Sequence, residues 1–140
     1  MALVQLLYTS KISGKIGMAD LTQIKDAAAN HNPPLGISGM LCFGEGYFLQ
    51  VLEGDAVIVN KHYQRISADP RHTDLVLLDY SHITKRNFHN WHMGHFNLNQ
   101  LKEGLILKYA TVAHFQPEKM HPQSALEFLI ELSKYLENEH

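Results

Sequence analysis

The chain has 140 residues, 45% hydrophobic and 19% charged, with twelve basic and fourteen acidic side chains and a net charge of −2. That is one domain with a small appendage, apolar enough for a single packed core and too sparsely charged for disorder. The charge balance argues against a dedicated nucleic-acid or anionic-membrane binder, and a single cysteine, Cys42, excludes a disulfide framework or an all-cysteine metal site.

The opening MALVQLLYTSK lacks the basic start and long apolar core of a signal peptide, and no apolar run approaches the ~20 residues of a membrane span. A cytoplasmic protein is expected. Residues 2–9, ALVQLLYT, predict a first strand, closed by turn-like residues up to Gly17. Asp20 stands three residues before Gln23, an approximate capping box, and Leu21, Ile24, Ala27, Ala28 and His31 follow at helical spacing. Asn32-Pro33-Pro34 ends that helix. Residues 36–43 and 47–53 predict two strands joined at Gly44-Glu45-Gly46, a three-residue hairpin loop. Gly54-Asp55 caps a second helix over 56–68, with Val59, Tyr63 and Ile66 along one side and Asp69-Pro70 as its stop. Residues 75–80, LVLLDY, read as a buried strand and 91–98 as another.

The order βαββαββ over residues 2–98 predicts an α+β sandwich of ferredoxin-like character, one sheet with two helices on one face. Two further helices, 99–109 and 123–137, are expected on the other face. The second is apolar on more than one side, through Leu126, Phe128, Leu129, Ile130, Leu132, Tyr135 and Leu136, which also suggests a subunit contact. The chain thus divides into 1–98 and a helical extension, 99–140.

Ten histidines raise a metal question. His89, His92 and His95 fall three apart, and on a strand residues at that spacing face opposite sides, so no metal site is expected. There is no phosphate-binding glycine loop and no nucleophile elbow. Cys42 lies within a strand and reads as a small buried hydrophobe. The unusual residues are polar ones on the strands. Val4, Leu6 and Tyr8 share one face, as do Phe48, Gln50 and Leu52. A glutamine in the middle of FLQVL needs hydrogen-bond partners once buried. It either bonds a tyrosine or backbone carbonyl inside the core, or links Tyr8 to a polar ligand ring. Asn32 is either a plain helix stop or an amide offered to such a ring. Ile24 and Ile66, one from each helix, are either core or the two sides of a slot for a flat ring.

Taken together, YTS ending at Ser10, NHN at 30–32, GISGMLCF at 36–43, FLQVLEG at 48–54, RISADPRH at 65–72 and NWHM at 90–93 resemble the BLUF family, blue-light sensors using FAD. The tail resembles the short stand-alone members with two C-terminal helices. The resemblance implies a flavin photoreceptor. Tyr8 would donate an electron and a proton, and Gln50 would stand between Tyr8 and the flavin edge. Asn32, and His31 beside it, would line the ring's polar edge, with Ile24 and Ile66 on its two faces. Arg65, Asp69, Arg71 and His72 would meet the pyrimidine edge, ribityl chain or phosphates. Trp91 and Met93 would be the signalling pair. Ala28 stands where relatives often carry serine. The chain shows no cyclase, phosphodiesterase or kinase segment, so a sensor rather than an enzyme is expected, with output through a protein partner or a homo-oligomer. The competing readings are a small flavin- or haem-handling oxidoreductase on the same fold, and a ligand-free interaction domain.

Overall fold

A computed structural model describes residues 2–13, 23, 35–90, 94–98, 108–109 and 114–139. Five strands form one sheet: β1 (Leu3–Ile12), β2 (Ser38–Gly44), β3 (Tyr47–Asp55), β4 (His72–His82) and β5 (Gly94–Asn97), in the order β4-β1-β3-β2-β5. All pairings are antiparallel except β2 with β5. Helix α1 (Ala56–Ser67) follows β3 without a loop, and helix α2 (Pro122–Glu139) comes last, behind a 3-10 turn at Pro117–Lys119. The expected α+β sandwich is present.

The hairpin between β2 and β3 is tighter than expected. Gly44 pairs with Tyr47, so the loop is two residues, Glu45 and Gly46, at φ 49° and 87°. Positive φ at both positions is the type I′ geometry that matches strand twist. A side chain at Gly44 would run into Leu98, since a Cβ there would stand 2.6 Å from the Leu98 Cβ. Asp55 caps α1 as predicted: its side chain accepts from the backbone N–H of Val57 and Ile58. Helix α1 stops at Ser67, with Ala68 as C-cap before Asp69-Pro70.

The strand expected at 75–80 exists but is not buried. It is the sheet's edge, paired on one side only, and Leu77 is 50% and Val76 41% exposed. An unbroken apolar run has the same look on an edge as in the middle of a sheet, so the pattern could not separate the two. Two register shifts interrupt the pairing with β1, between Leu7 and Tyr8 and between Thr9 and Lys11, and Asp74 takes φ 52° at the second. These irregularities twist an edge that would otherwise be a flat template for pairing.

Each face of the sheet has its own core. On one, Val4, Leu6, Tyr8, Ile37 and Leu52 pack with Val59 of α1, joined by Tyr63, Ile66 and Leu75. On the other, Leu7, Met40, Cys42, Leu49, Val51 and Phe96 pack against Phe128, Leu129 and Leu132 of α2, together with Phe88, Phe115 and Met120. Helix α2 therefore covers the second face, as its apolar spread predicted. Leu126, Ile130 and Leu136 turn partly into this same core, whereas Tyr135 stays 45% exposed. Lys108 and Tyr109 are helical and both donate to Glu131 Oε1 on α2. The rest of the helix expected at 99–109 lies outside the described residues, as does the helix expected from Asp20 apart from Gln23. Among the described residues no helix is long and apolar enough to cross a membrane.

Candidate functional site

Alternation along β1 and β3 brings the two singled-out polar residues directly opposite each other. Tyr8 and Gln50 are register partners on adjacent strands. Both are buried, at 3% and 6% exposure. The Tyr8 hydroxyl donates to Gln50 Oε1. Oxygen and nitrogen share one sp² carbon, so with Oε1 turned to Tyr8 the Nε2 hydrogens are directed away from it. Burial pushes the Tyr8 hydroxyl far above the ordinary tyrosine range, and the nearby Tyr63 and Asp69 add to the rise. Tyr8 is a neutral phenol whose hydrogen has one defined acceptor.

Helix α1 supplies the next layer. Tyr63 lies with its ring centroid 5.3 Å from that of Tyr8. Ile66, three residues on along the helix, packs into the same cluster. The C-terminal end of α1 is tied to the sheet through His72, the first residue of β4. Its Nε2 is 2.6 Å from the Ile66 carbonyl oxygen and its Nδ1 is 2.8 Å from Ser10 Oγ. A carbonyl only accepts, so Nε2 carries a hydrogen; in the neutral ring Nδ1 then accepts from the Ser10 hydroxyl. The ring stands edge-on to both Tyr8 and Phe48, at 6.4 and 6.1 Å. Beside it, Arg71 Nε donates to both Asp69 carboxylate oxygens at 3.0 Å, and the Arg71 backbone N–H donates to Oδ1 at 2.9 Å. The side-chain bond from Arg71 holds the Asp69 carboxyl below its usual range. Arg65 is exposed in the last turn of α1.

Of the residues singled out from the sequence, Tyr8, Gln50, Ile66, Asp69, Arg71 and His72 come together around one end of this face. Ile24, His31, Asn32, Trp91 and Met93 lie outside the described residues. In the sequence Ser10 reads as the first turn-like residue after the strand and as the end of the YTS motif, and Tyr63 as part of a helical stripe. Two-residue alternation from Tyr8 puts Ser10 on the Tyr8 face, a signal cut short by ending the strand at residue 9. Among the described residues no group of three His, Cys, Asp or Glu side chains is placed to hold a metal ion.

Residues 3–94 match the family described as BLUF, sensors of blue-light using FAD. Photoactivated adenylate cyclase subunit beta of Euglena longa is 35% identical over 86 residues, covering 61% of this chain and 10% of that protein. The blue light- and temperature-regulated antirepressor BluF of Escherichia coli K12 is 30% identical over 96 residues, 69% of this chain and 24% of that protein. The chain thus spans about a tenth of the cyclase subunit and about a quarter of the antirepressor. Among solved structures, BlsA in its photo-activated state superposes with a TM-score of 0.85 at 29% identity, covering 94% of each chain. BlrB in its dark state gives 0.71 at 34% identity, over 76% of this chain and 80% of that one.

Proposed function

The chain belongs to the BLUF family, the sensors of blue light using FAD, and from that premise we propose that it is a photoreceptor that binds FAD non-covalently on the Tyr8 face of the sheet. One observation carries the reading. A tyrosine and a glutamine, paired across two interior strands, share a hydrogen bond inside the core beneath α1. A buried polar pair of this kind is costly unless both members are satisfied. The residues fit a flavin: with Oε1 given to Tyr8, the Nε2 donor suits the acceptor atoms along the edge of a flavin ring.

Bound FAD supplies the absorption of blue light and an acceptor for one electron. Tyr8 holds its proton at Oη because burial disfavours the phenolate, so that proton leaves with an electron and not ahead of it. The hydrogen bond aims the proton at Gln50 Oε1. The electron and the proton return to Tyr8 as the Gln50 amide turns over or changes tautomer, which exchanges donor for acceptor on its side away from Tyr8. Exchanging one such bond is worth roughly 1–3 kcal/mol. A difference of that size shifts a two-state element without covalent change.

In this reading Ile24 and Ile66 enclose the ring, and Asn32 and His31 meet its polar edge. Arg65, Asp69, Arg71 and His72 serve the pyrimidine edge, ribityl chain or phosphates. Residues 1–98 form the flavin-binding unit. Residues 99–140, with Trp91 and Met93 leading towards them, carry the output. The chain acts as a cytoplasmic sensor rather than an enzyme, and output passes to a protein partner or through rearrangement of a homo-oligomer. Light-minus-dark absorption of the FAD-loaded chain tests the reading. A red shift that reverses in darkness is expected. A yellow protein with an unchanged spectrum, or a chain that takes up no FAD, would overturn it.

A further inference from the structure

Among the described residues, Glu53 is the one Asp, Glu, Lys or Arg that is buried, at 0% exposure. It lies three residues after Gln50 on β3 and so faces the opposite side of the sheet. Gln5 of β1 and Ser38 of β2 flank it in register. Gln5 Nε2 and the Asn87 backbone N–H donate to Oε2, both at 2.9 Å. The Ser38 hydroxyl and the Phe88 backbone N–H donate to Oε1, at 3.3 and 2.9 Å. Arg86 closes the cluster, donating to Ser38 Oγ at 2.8 Å, to the Glu53 carbonyl at 3.2 Å and to the Gly36 carbonyl at 2.7 Å. Because Ser38 Oγ accepts from Arg86, its own hydrogen is the one given to Glu53. Four donors converge, two on each oxygen, and only a carboxylate accepts them all.

The donors tie two distant parts together. Asn87 and Phe88 belong to the connection between β4 and β5, and Phe88 is sunk in the core beneath α2. We infer that Glu53 is a positioning residue for the light response: an acceptor-only latch that fastens residues 86–88, and with them the run into β5, to the strand carrying Gln50. The inference rests on Tyr8 and Gln50 being the photochemical pair. A strand is extended and does not stretch, and the two side chains leave it roughly 10 Å apart. When Gln50 exchanges its hydrogen bonds and β3 tilts or slides, the Glu53 oxygens move against donors on β1, β2 and the connection. Residues 86–88 then move with β3 while the latch holds, and stop following it once the latch is cut.

Amide hydrogen exchange at Asn87 and Phe88, in darkness and under blue light, tests this on the FAD-loaded chain. In the parent, light is expected to change exchange at both amides. Glu53→Gln keeps shape but turns an NH₂ towards donors; it should raise dark exchange there about tenfold or more. It should also erase the light-dark difference while leaving the red shift in place. A variant that merely loosened the fold would raise exchange but keep the light dependence. Ser38→Ala, which removes one donor and leaves both amides their acceptor, should raise exchange less and shrink the light-dark difference. It serves if Glu53→Gln does not fold. A parent that red-shifts while Asn87 and Phe88 exchange identically in dark and light overturns the inference, as does a Glu53→Gln chain that keeps the difference. A parent with no red shift overturns the photochemical reading itself.

Discussion

The two faces of one sheet are built from alternate residues of the same strands, yet they do different work. Beneath α2 the contact with the helix is hydrocarbon, sulfur and aromatic carbon, Leu7, Met40, Cys42, Leu49 and Val51 meeting Phe128, Leu129 and Leu132, while the buried polar residues Gln5, Ser38 and Glu53 of that side gather at one end of the strands. The face beneath α1 spends interior positions on Tyr8, Gln50, Ser10 and His72, each of which needs a hydrogen-bond partner. Apolar burial supplies stability in proportion to area and asks for no geometry. A polar pair adds little net stability but fixes which atom donates to which. The hydrocarbon beneath α2 seats that helix, and the Tyr8–Gln50 bond on the other face fixes one donor and one acceptor, the arrangement that the proposed light response would exchange.

Four substitution or pH experiments would break or sharpen that contrast. The largest effect is expected from Phe128→Ala, which should cost about 3–5 kcal/mol in urea unfolding while leaving the red shift of the folded fraction in place. A loss below about 1 kcal/mol would mean that α2 is not seated as described. Next, Tyr8→Phe leaves Gln50 Oε1 without its donor and Gln50→Leu leaves the Tyr8 hydroxyl without its acceptor, so each should cost about 1–3 kcal/mol and abolish the normal red shift. The combined Tyr8→Phe, Gln50→Leu chain leaves neither group stranded. It should unfold within about 1 kcal/mol of the parent, well below the sum of the singles, and show no light response. Additive singles would show that the pair is not coupled. The smallest effect concerns Asp69. Its carboxyl is held below the ordinary value of 3.8 by Arg71. A lowered folded-state pKa gives a stability contribution that is full above the unfolded value and vanishes as pH falls through the folded one. For this partly exposed pair the contribution is under about 1 kcal/mol. Asp69→Asn should therefore lower stability at neutral pH by under about 1 kcal/mol and flatten the acid limb of a stability-pH curve below about pH 4, where parent and variant converge.

The sequence made the faces legible because side-chain alternation needs no tertiary knowledge. Every second residue from Val4 reaches Tyr8 and every second residue from Phe48 reaches Gln50, and the β1–β3 register then sets the two on one side. Helix α1 was legible from its cap and stop, and α2 from its apolar spread. The exposure of β4 was not, because Leu75 to Leu78 are equally apolar whether one strand or two lie beside them. Nor was the Glu53 cluster, since its donors come from residues 5, 38 and 86–88, and two of them are backbone N–H groups that no side-chain pattern reports. The double tether of His72 was hidden for the same reason: one of its partners is the carbonyl of Ile66. Residues whose meaning lies in their own strand or helix are readable; those defined by backbone groups far along the chain are not.

Cys42 adds a built-in chemical clock. It is the chain's single thiol, fully enclosed in the core beneath α2, and burial pushes its pKa well above the ordinary range. Only the thiolate reacts with a disulfide reagent, so the folded chain is inert to one and every modification counts an opening of that face. The labelling rate therefore measures how often α2 lifts from the sheet, with no probe to install. If illumination leaves that rate unchanged, the helix rides on the sheet as a fixed lid and the message leaves by its outer surface. If illumination speeds it, the message is the lifting of the helix.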